Sequence, residues 1–421
     1  MRFLYTVMLW LLLPLLCLRL AIRSRRQPEY LQHLGERFGF YPHPVGDSVG
    51  EGVIWLHAVS VGETRATVSL IARLRSRYPD QQILLTHTTP TGRATSEQLY
   101  GDGLLRVYLP YDYPFAVRRF FRQFRPKIGI LMETEIWFNL IHEASAAGVP
   151  MLLLNARMSE KSAKGYARFA RLSRRALSSL DAVAAQTPDD ARRLMQLGAR
   201  RVSVMGNLKF DILPSQAMLE LGRALRAKWG SNRQIVLAAS TREGEEALLL
   251  DAWQVQADSV LLVIVPRHPQ RFDEVAGMLA KRGLRYQRRS EGGVLAADVQ
   301  VLLGDSMGEM FAYYAAADLA YIGGSLLPFG GQNLIEACAV GTPVLIGPHT
   351  FNFAEATRLA IEAGAAVRVS NAAALVQIAQ CLLADPVELA AMSRRGVSFV
   401  SAHRGATDKA LSVVAALLDI T

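Results

Sequence analysis

Residues 318–348 read DLAYIGGSLLPFGGQNLIEACAVGTPVLIGP, and the order of residue types in this stretch decides the fold. An apolar run at 319–322 ends in Gly323, Gly324 and Ser325, and a flexible loop continues to Gly330 and Gly331. Residues 332–340 are then spaced as a helix, and 342–346 form a second apolar run. Strand, glycine loop, helix, strand is the building unit of an α/β sheet. Glycines let a ligand approach the backbone closely, and the N–H groups and positive dipole end of the following helix favour an anion such as phosphate. Asn333 and Glu336 share one face of the expected first helical turn. There a carboxylate accepts ribose hydroxyls and an amide holds phosphate. The alternative is a glycine loop that only closes an α/β unit, with Glu336 as its cap.

The same unit repeats outward in both directions. Strands are expected at 53–57, 83–86, 105–109, 128–132, 151–154, 182–185 and 202–205. After Gly206 and a segment containing Pro214 the pattern restarts, with strands at 235–239, 260–265, 299–303, 319–322, 344–346 and 366–369. Strands alternating with helices predict mostly parallel sheets covered on both faces. Two α/β domains follow, 27–210 and 211–421, with residues 1–26 set apart and the helical segment 406–418 able to pack back on the first domain. Ligands of such open sheets bind beyond the carboxyl ends of the strands.

The chain is 421 residues long and 51% hydrophobic, enough to bury a sizeable core, and its formal net charge of +10 calls for an anionic partner. No nucleic-acid motif occurs and the basic residues do not alternate with aromatics as a stacking platform requires, so no nucleic-acid partner is expected. A membrane surface or a phosphorylated substrate fits better. Cys17, Cys338 and Cys381 have no CxxC or zinc spacing and read as buried or membrane-embedded thiols of a reducing compartment. Residues 3–22 form an apolar run broken by Thr6, Pro14 and Arg19, and about twenty such residues suffice to cross a bilayer. Arg23, Arg25 and Arg26 follow at once, which keeps the domains on the cytoplasmic side. No small-residue cleavage site precedes them. An uncleaved N-terminal anchor is expected; Pro14 and Arg19 leave open a helix lying partly in the interface, and a removed signal peptide is the lesser alternative.

Dinucleotide G-x-G-x-x-G and G-x-x-x-x-G-K-[ST] motifs are absent, as is any Asp-x-Asp pair, so nicotinamide, ATP-cleaving and metal-diphosphate chemistry lose ground. The strand-end loops carry other chemistry. HAVSVGE, 57–63, places Glu63 in the first turn of a helix, where the dipole favours an ionised carboxylate and Gly62 admits a substrate. Glu63 is a candidate general base or an ordinary helix-start glutamate, and His57 reads as structural. METEIW, 132–137, offers Glu133 and Glu135, costly to bury without partners, for an acceptor hydroxyl or a cationic neighbour. GNLKFD, 206–211, brings Lys209 to the domain junction, where an ammonium can meet charge on a leaving group. In the second domain Ser240 and Thr241 of STREGEE, Pro266, Arg267 and His268 of PRHP, Gly308, Glu309 and Met310 of DSMGEM, and Gly324 and Ser325 form a nucleotide site across four loops. Arg267, stiffened by prolines on both sides, is a fork for phosphate or carboxylate. Arg118, Arg119, Arg122, Arg125 and Lys127 surround Phe120, Phe121 and Phe124. Lys161, Lys164, Arg168, Arg171 and Arg175 share one helical face by spacing. Both clusters suit lipid phosphates, with a solvated basic face as the alternative.

In this order HAVSVGE, METEIW, GNLKFD, STREGEE, PRHP, DSMGEM and GGSLLPFGGQNLIE resemble the motifs of the 3-deoxy-D-manno-octulosonic acid (Kdo) transferases of Gram-negative bacteria, over essentially the whole chain. The resemblance implies two Rossmann-like domains facing across a cleft, the GT-B glycosyltransferase arrangement, with an N-terminal membrane anchor helix. It implies acceptor binding by the first domain and CMP-Kdo binding by the second. The family's base falls on Glu63 and its supporting residues on Glu133 and Lys209. Its CMP contacts fall on Pro266, Arg267, His268, Gly308, Glu309 and Met310, and on Asn333, Leu334, Ile335 and Glu336. The chain departs from the family at Gln332, where a histidine is expected, and at Phe138, where proline is expected. The implied reaction is inverting transfer of Kdo from CMP-Kdo to lipid IVA, the lipid A precursor, at the cytoplasmic face of the inner membrane, in building the lipopolysaccharide inner core. No metal or other cofactor is expected, CMP-Kdo being a substrate. Another GT-B transferase or an epimerase using a UDP-sugar, and a membrane-anchored nucleotide-binding protein without turnover, are the alternatives.

Overall fold

Fourteen short strands build two sheets in the computed structural model, which describes residues 1–25, 27–41, 52–253 and 260–419. Arg26, the last arginine behind the apolar run, lies outside the described residues. The first seven are β1 Val53–His57, β2 Gln82–His87, β3 Leu105–Tyr108, β4 Pro126–Met132, β5 Met151–Ala156, β6 Ala182–Ala185 and β7 Val202–Val204, ordered β3-β2-β1-β4-β5-β6-β7. The others are β8 Gln234–Thr241, β9 Val260–Pro266, β10 Tyr286–Arg288, β11 Val301–Leu303, β12 Leu319–Ile322, β13 Val344–Ile346 and β14 Ala366–Arg368, ordered β10-β11-β9-β8-β12-β13-β14. Every pairing recorded is parallel. Parallel strands are covered on both faces and so read as unbroken apolar runs, which is why β1, VIWLH, is buried at all five positions.

Two units result, Met1–Asp211 with Arg404–Thr421, and Ile212–His403. In the first, Trp55, Leu131 and Leu153 pack with Phe120 and Phe124 on one side of the sheet, and Leu56, Ile130 and Leu154 with Leu70 and Leu74 on the other. The helix Ala406–Leu418 completes the second of these cores with Ala406, Ala410 and Val414. Asp211, the last residue of GNLKFD, holds its start by accepting the N–H groups of Gly405, at 2.7 Å, and Thr407. In the second unit Val236, Ile264, Tyr321 and Leu345 form the corresponding core with Leu249, Val275 and Leu375.

The structure corrects several element boundaries. β10 was not expected: Tyr-Gln-Arg has no apolar run, and this edge strand forms by pairing with β11. The helix expected at 332–340 is the five-residue Ile335–Ala339, because Asn333 uses its side-chain oxygen to accept the Ile335 N–H at 3.1 Å and so starts the helix later. The basic stretch 161–175 is not one helical face. It breaks into Glu160–Ala167 and Ala170–Ser178, since Phe169 leaves helical geometry at φ −114° and ψ 42° while Leu172, Ala176 and Leu177 turn into the core. Phe120, Phe121 and Phe124 likewise point inward, and their helix Pro114–Phe124 leaves Arg118 and Arg122 outside.

The strand order reverses between β1 and β4 in the first sheet and, in the second, between β8 and β12. Connections leave in opposite directions at these places, which opens a crevice beyond the strand ends.

Candidate active site

HAVSVGE and METEIW follow β1 and β4, and therefore meet at the reversal point of the first sheet. Ser60 caps the helix Val61–Ala66, accepting the Glu63 N–H at 3.3 Å, while its hydroxyl donates to Glu63 Oε1 at 2.9 Å. The Val59 N–H donates to Glu63 Oε2 at 2.9 Å. This reciprocal cap fixes the carboxylate at the helix start. Burial foremost pushes the Glu63 carboxyl above its ordinary range; the Val59 N–H and Ser60 hydroxyl oppose it, and the charges of Glu133 and Glu135 add to it.

Glu133 sits immediately after β4 in the left-handed region, φ 55°, held there because its N–H donates to Leu154 O at 3.0 Å and its carbonyl accepts Arg157 N–H at 3.1 Å. Its Oε1 lies 3.2 Å from Lys209 Nζ. Lys209 is in turn placed by side chains from two strand ends. Asn155 Oδ1 accepts the Leu208 N–H at 3.1 Å, and Asn207 Nδ2 donates to Gln186 Oε1 at 3.1 Å. Glu135 accepts the Trp137 indole N–H at 2.6 Å and lies 3.8 Å from Nε2 of the fully buried His57. Burial pushes the Glu135 carboxyl up, but His57 and Trp137 outweigh it, and the net shift is downward. The structure thus brings Glu63, Glu133, Glu135 and Lys209 into one charged group, and His57 is a packed histidine.

STREGEE follows β8 and GGSLLPFGG follows β12, at the reversal point of the second sheet. Their junction is organised by Glu245, fully buried, which no sequence reasoning assigned a role. Its carboxylate accepts the N–H groups of Arg242 at 2.9 Å, Gly324 at 2.6 Å and Leu326 at 3.0 Å, and the Tyr321 hydroxyl at 2.7 Å. Gly323 passes so close to Ser240 and Thr241 that a Cβ would overlap their backbone, which explains the glycine. Beside it, Glu246 accepts Arg271 Nη1 at 2.6 Å and Nη2 at 3.1 Å, and the Thr241 hydroxyl at 2.6 Å, joining the β8 loop to PRHPQR after β9. The one signal for both residues was a doubled glutamate directly behind an apolar strand.

The remaining candidates divide by exposure. Arg267 is half-buried at the end of β9 and His268 exposed. Partial burial foremost, then the Arg242 and Arg267 charges, push the His268 imidazole down, which marks a cluster of positive charge. Gly308 is exposed with φ 82°, and Glu309 pairs with Arg289 at 3.2 Å and accepts the Ser306 hydroxyl at 2.6 Å before the helix from Met310. Asn333 Nδ2 donates to Glu336 Oε1 at 3.1 Å, so these two side chains do share a position. Four candidates are turned inward. Thr241 is fully buried on Glu246, Leu334 and Ile335 are core side chains, and the buried Ser325 hydroxyl accepts the Gly347 N–H at 2.8 Å and donates to Ile322 O at 2.5 Å. Only their backbone can face a ligand. Pro266 ends β9 and is buried, and Ser240, half-buried, has φ 55°.

Among the basic candidates, Lys161, Lys164 and Arg168 are exposed, and Lys164 lies 2.7 Å from Glu160. Arg118 lies 3.2 Å from Glu143, and Arg119 covers the Phe40 ring at 4.1 Å. Arg119 and Arg122 line an open depression of about 650 Å³ with His33, Glu36 and Tyr41. Among the described residues no group of three or more His, Cys, Asp or Glu is placed to hold a metal ion.

The family model described as 3-Deoxy-D-manno-octulosonic-acid transferase (kdotransferase) matches residues 32–212. A 3-deoxy-D-manno-octulosonic acid transferase of Bordetella pertussis is 45% identical over 430 residues, 98% of each chain. One of Haemophilus influenzae is 35% identical over 99% of each chain. Among solved structures, a glycosyltransferase from Rickettsia africae ESF-5 superposes with a TM-score of 0.56 at 15% identity, covering 88% of this chain and 100% of that one, a likeness of fold alone.

Proposed function

The chain belongs to the Kdo transferase family, and from that premise we propose that it transfers Kdo from CMP-Kdo to lipid IVA with inversion, Glu63 acting as general base. Glu63 takes the proton of an acceptor hydroxyl, the oxygen bonds to the anomeric carbon of Kdo, and the bond from that carbon to the CMP phosphate oxygen breaks. The observation that carries the Glu63 assignment is its environment. It is a partly buried carboxylate, fixed by Val59 and Ser60 and with a raised pKa, which brings its basicity nearer to neutral working pH. Glu133 and Lys209 support the acceptor and the leaving group.

The first unit takes the lipid and the second takes CMP-Kdo. Arg267 and Arg242 supply positive charge for a phosphate, with the His268 imidazole beside them, and a phosphate monoester leaves with its charge spread over several oxygens, which Arg267, Lys209 and backbone N–H groups stabilise without a metal. The apolar helix Arg2–Ser24 holds the protein at the cytoplasmic face of the inner membrane, and Arg118, Arg119, Arg122, Lys161, Lys164 and Arg168 meet lipid phosphates.

Incubation of the detergent-solubilised protein with CMP-Kdo and tetraacylated lipid A precursor, followed by mass spectrometry of the lipid, tests the reading. A mass increase by whole Kdo units is expected. An unchanged lipid with CMP still bound would reject the acceptor, and loss of CMP binding would reject the donor.

A further inference from the structure

The helix Arg2–Ser24 is long and apolar enough to cross a bilayer, with a mean hydropathy of 2.0 and 6% of that window buried. Its burial is not scattered. The residues that are not exposed are Arg2, Tyr5, Thr6, Leu9, Leu13, Leu16, Leu20 and Ser24, spaced three or four apart except for the adjacent pair Tyr5 and Thr6. That spacing is a single stripe running from end to end of the helix.

The stripe lies against the first unit. Arg2 is 3.4 Å from Glu143, and the Tyr5 hydroxyl donates to Asp112 Oδ2 at 2.9 Å. Asn139 Nδ2 donates to Thr6 Oγ1 at 3.1 Å, and the Tyr113 hydroxyl donates to Leu9 O at 2.7 Å. Asp112 is itself buried and fixed by the N–H groups of Asn139 and Leu140. Phe138 meets the Tyr5 ring edge-on at 5.1 Å, and Trp10 stacks over Phe115 at 5.7 Å. At the other end Leu20 is 8% exposed, and Arg23 covers the Tyr30 ring at 5.5 Å. The opposite face is bare: Phe3, Leu4, Met8, Leu11, Leu15 and Leu18 are all exposed.

At 1.5 Å per residue the helix is about 33 Å long, close to the roughly 30 Å of a hydrocarbon core. To cross, it would have to leave Asp112 and Asn139 or draw both into lipid, where a charged side chain costs at least about 2.5–3.5 kcal/mol. We propose that this helix does not cross the membrane but lies flat in one leaflet, docked along its length on the first unit, with its apolar face in the acyl chains and both of its ends on the catalytic side. This rests on the membrane reading proposed above. The occupant of the bare face is an anionic leaflet: the residues at its centre are apolar, exposed Arg19 lies at its edge, and exposed Arg23 and Arg25 stand at its C-terminal end, in a chain of net charge +10. Pro14 and Arg19, awkward in a span, are harmless in a helix whose edge reaches the headgroups.

The test uses the full chain with protease-cleavable tags before Met1 and after Thr421, expressed in a Gram-negative host. Both tags should be cut in inverted inner-membrane vesicles and neither in intact spheroplasts. Cleavage of the N-terminal tag in spheroplasts, with the C-terminal tag protected, would overturn the proposal and restore a span. A chain found dimeric in the soluble fraction would also overturn it, a second copy then covering the face. Leu11→Glu with Leu15→Glu should reduce binding to phosphatidylethanolamine–phosphatidylglycerol vesicles by about tenfold or more, while Cys17→Ser as a control does not. Unreduced binding would place the contact elsewhere. Turnover assayed in detergent is independent of all these outcomes, so a failed topology and a failed transferase reading remain distinguishable.

Discussion

Glu245 Oε2 accepts the Gly324 N–H at 2.6 Å, tying the loop after β8 to the loop after β12 at the reversal point of the second sheet. All the donors around this buried carboxylate point inward, so an amide in its place would turn an NH2 group toward N–H groups. Glu245→Gln should cost about 2–4 kcal/mol of stability and raise the KM for CMP-Kdo by about tenfold, with Glu245→Asp intermediate. Denaturant unfolding and initial rates at varied donor check this; an unchanged KM would mean that the glycine loop does not shape the donor site.

Glu63→Gln can keep the Val59 N–H contact through its amide oxygen while removing the base. Transfer should fall by about 10²–10⁴-fold, and CMP affinity should stay within about twofold. Isothermal titration with CMP beside the lipid assay separates these quantities. Parallel loss of both would assign Glu63 to structure.

The upward shift of the Glu63 carboxyl sets the sign of a pH effect. A base works ionised, so kcat/KM should rise with pH through an acid limb lying above the ordinary glutamate range. Glu133→Gln removes a neighbouring negative charge and leaves Lys209 in place, which should move that limb to lower pH. A shift upward would contradict the assignment. For stability the sign is opposite: a raised folded-state pKa favours the fold at low pH, and that contribution is lost as pH rises through it.

Arg271 and Glu246 form a bidentate pair with 6% and 0% side-chain exposure. Arg271→Met alone strands a buried carboxylate and should destabilise by about 3–5 kcal/mol. The double variant Arg271→Met with Glu246→Leu should recover much of this, since an apolar pair leaves no unpaired charge. Equal losses in single and double variants, measured by denaturant unfolding, would show that Thr241 and not the ion pair is the anchor.

By itself the sequence determined the α/β class, the parallel sheets and most strand positions, because buried parallel strands must be apolar along their whole length and helices between them must be amphipathic. The glycines at 323 and 324 and the prolines around Arg267 were legible for the same reason, as backbone constraints written in single residues. Contacts distant in sequence decided the rest. β10 exists because β11 lies beside it, the 161–175 stretch breaks because Leu172 and Leu177 seek the core, and Ser325 and Thr241 turn inward because Gly347 and Glu246 receive them. Glu245 looked like any helix-start glutamate until the N–H groups of Gly324 and Leu326, about eighty residues away, were folded around it. The apolar helix Arg2–Ser24 is the sharpest case. Its hydropathy was plain in the sequence, but whether it crosses or lies flat depends on Asp112 and Asn139, more than a hundred residues distant, and periodicity cannot report a partner that only tertiary packing supplies.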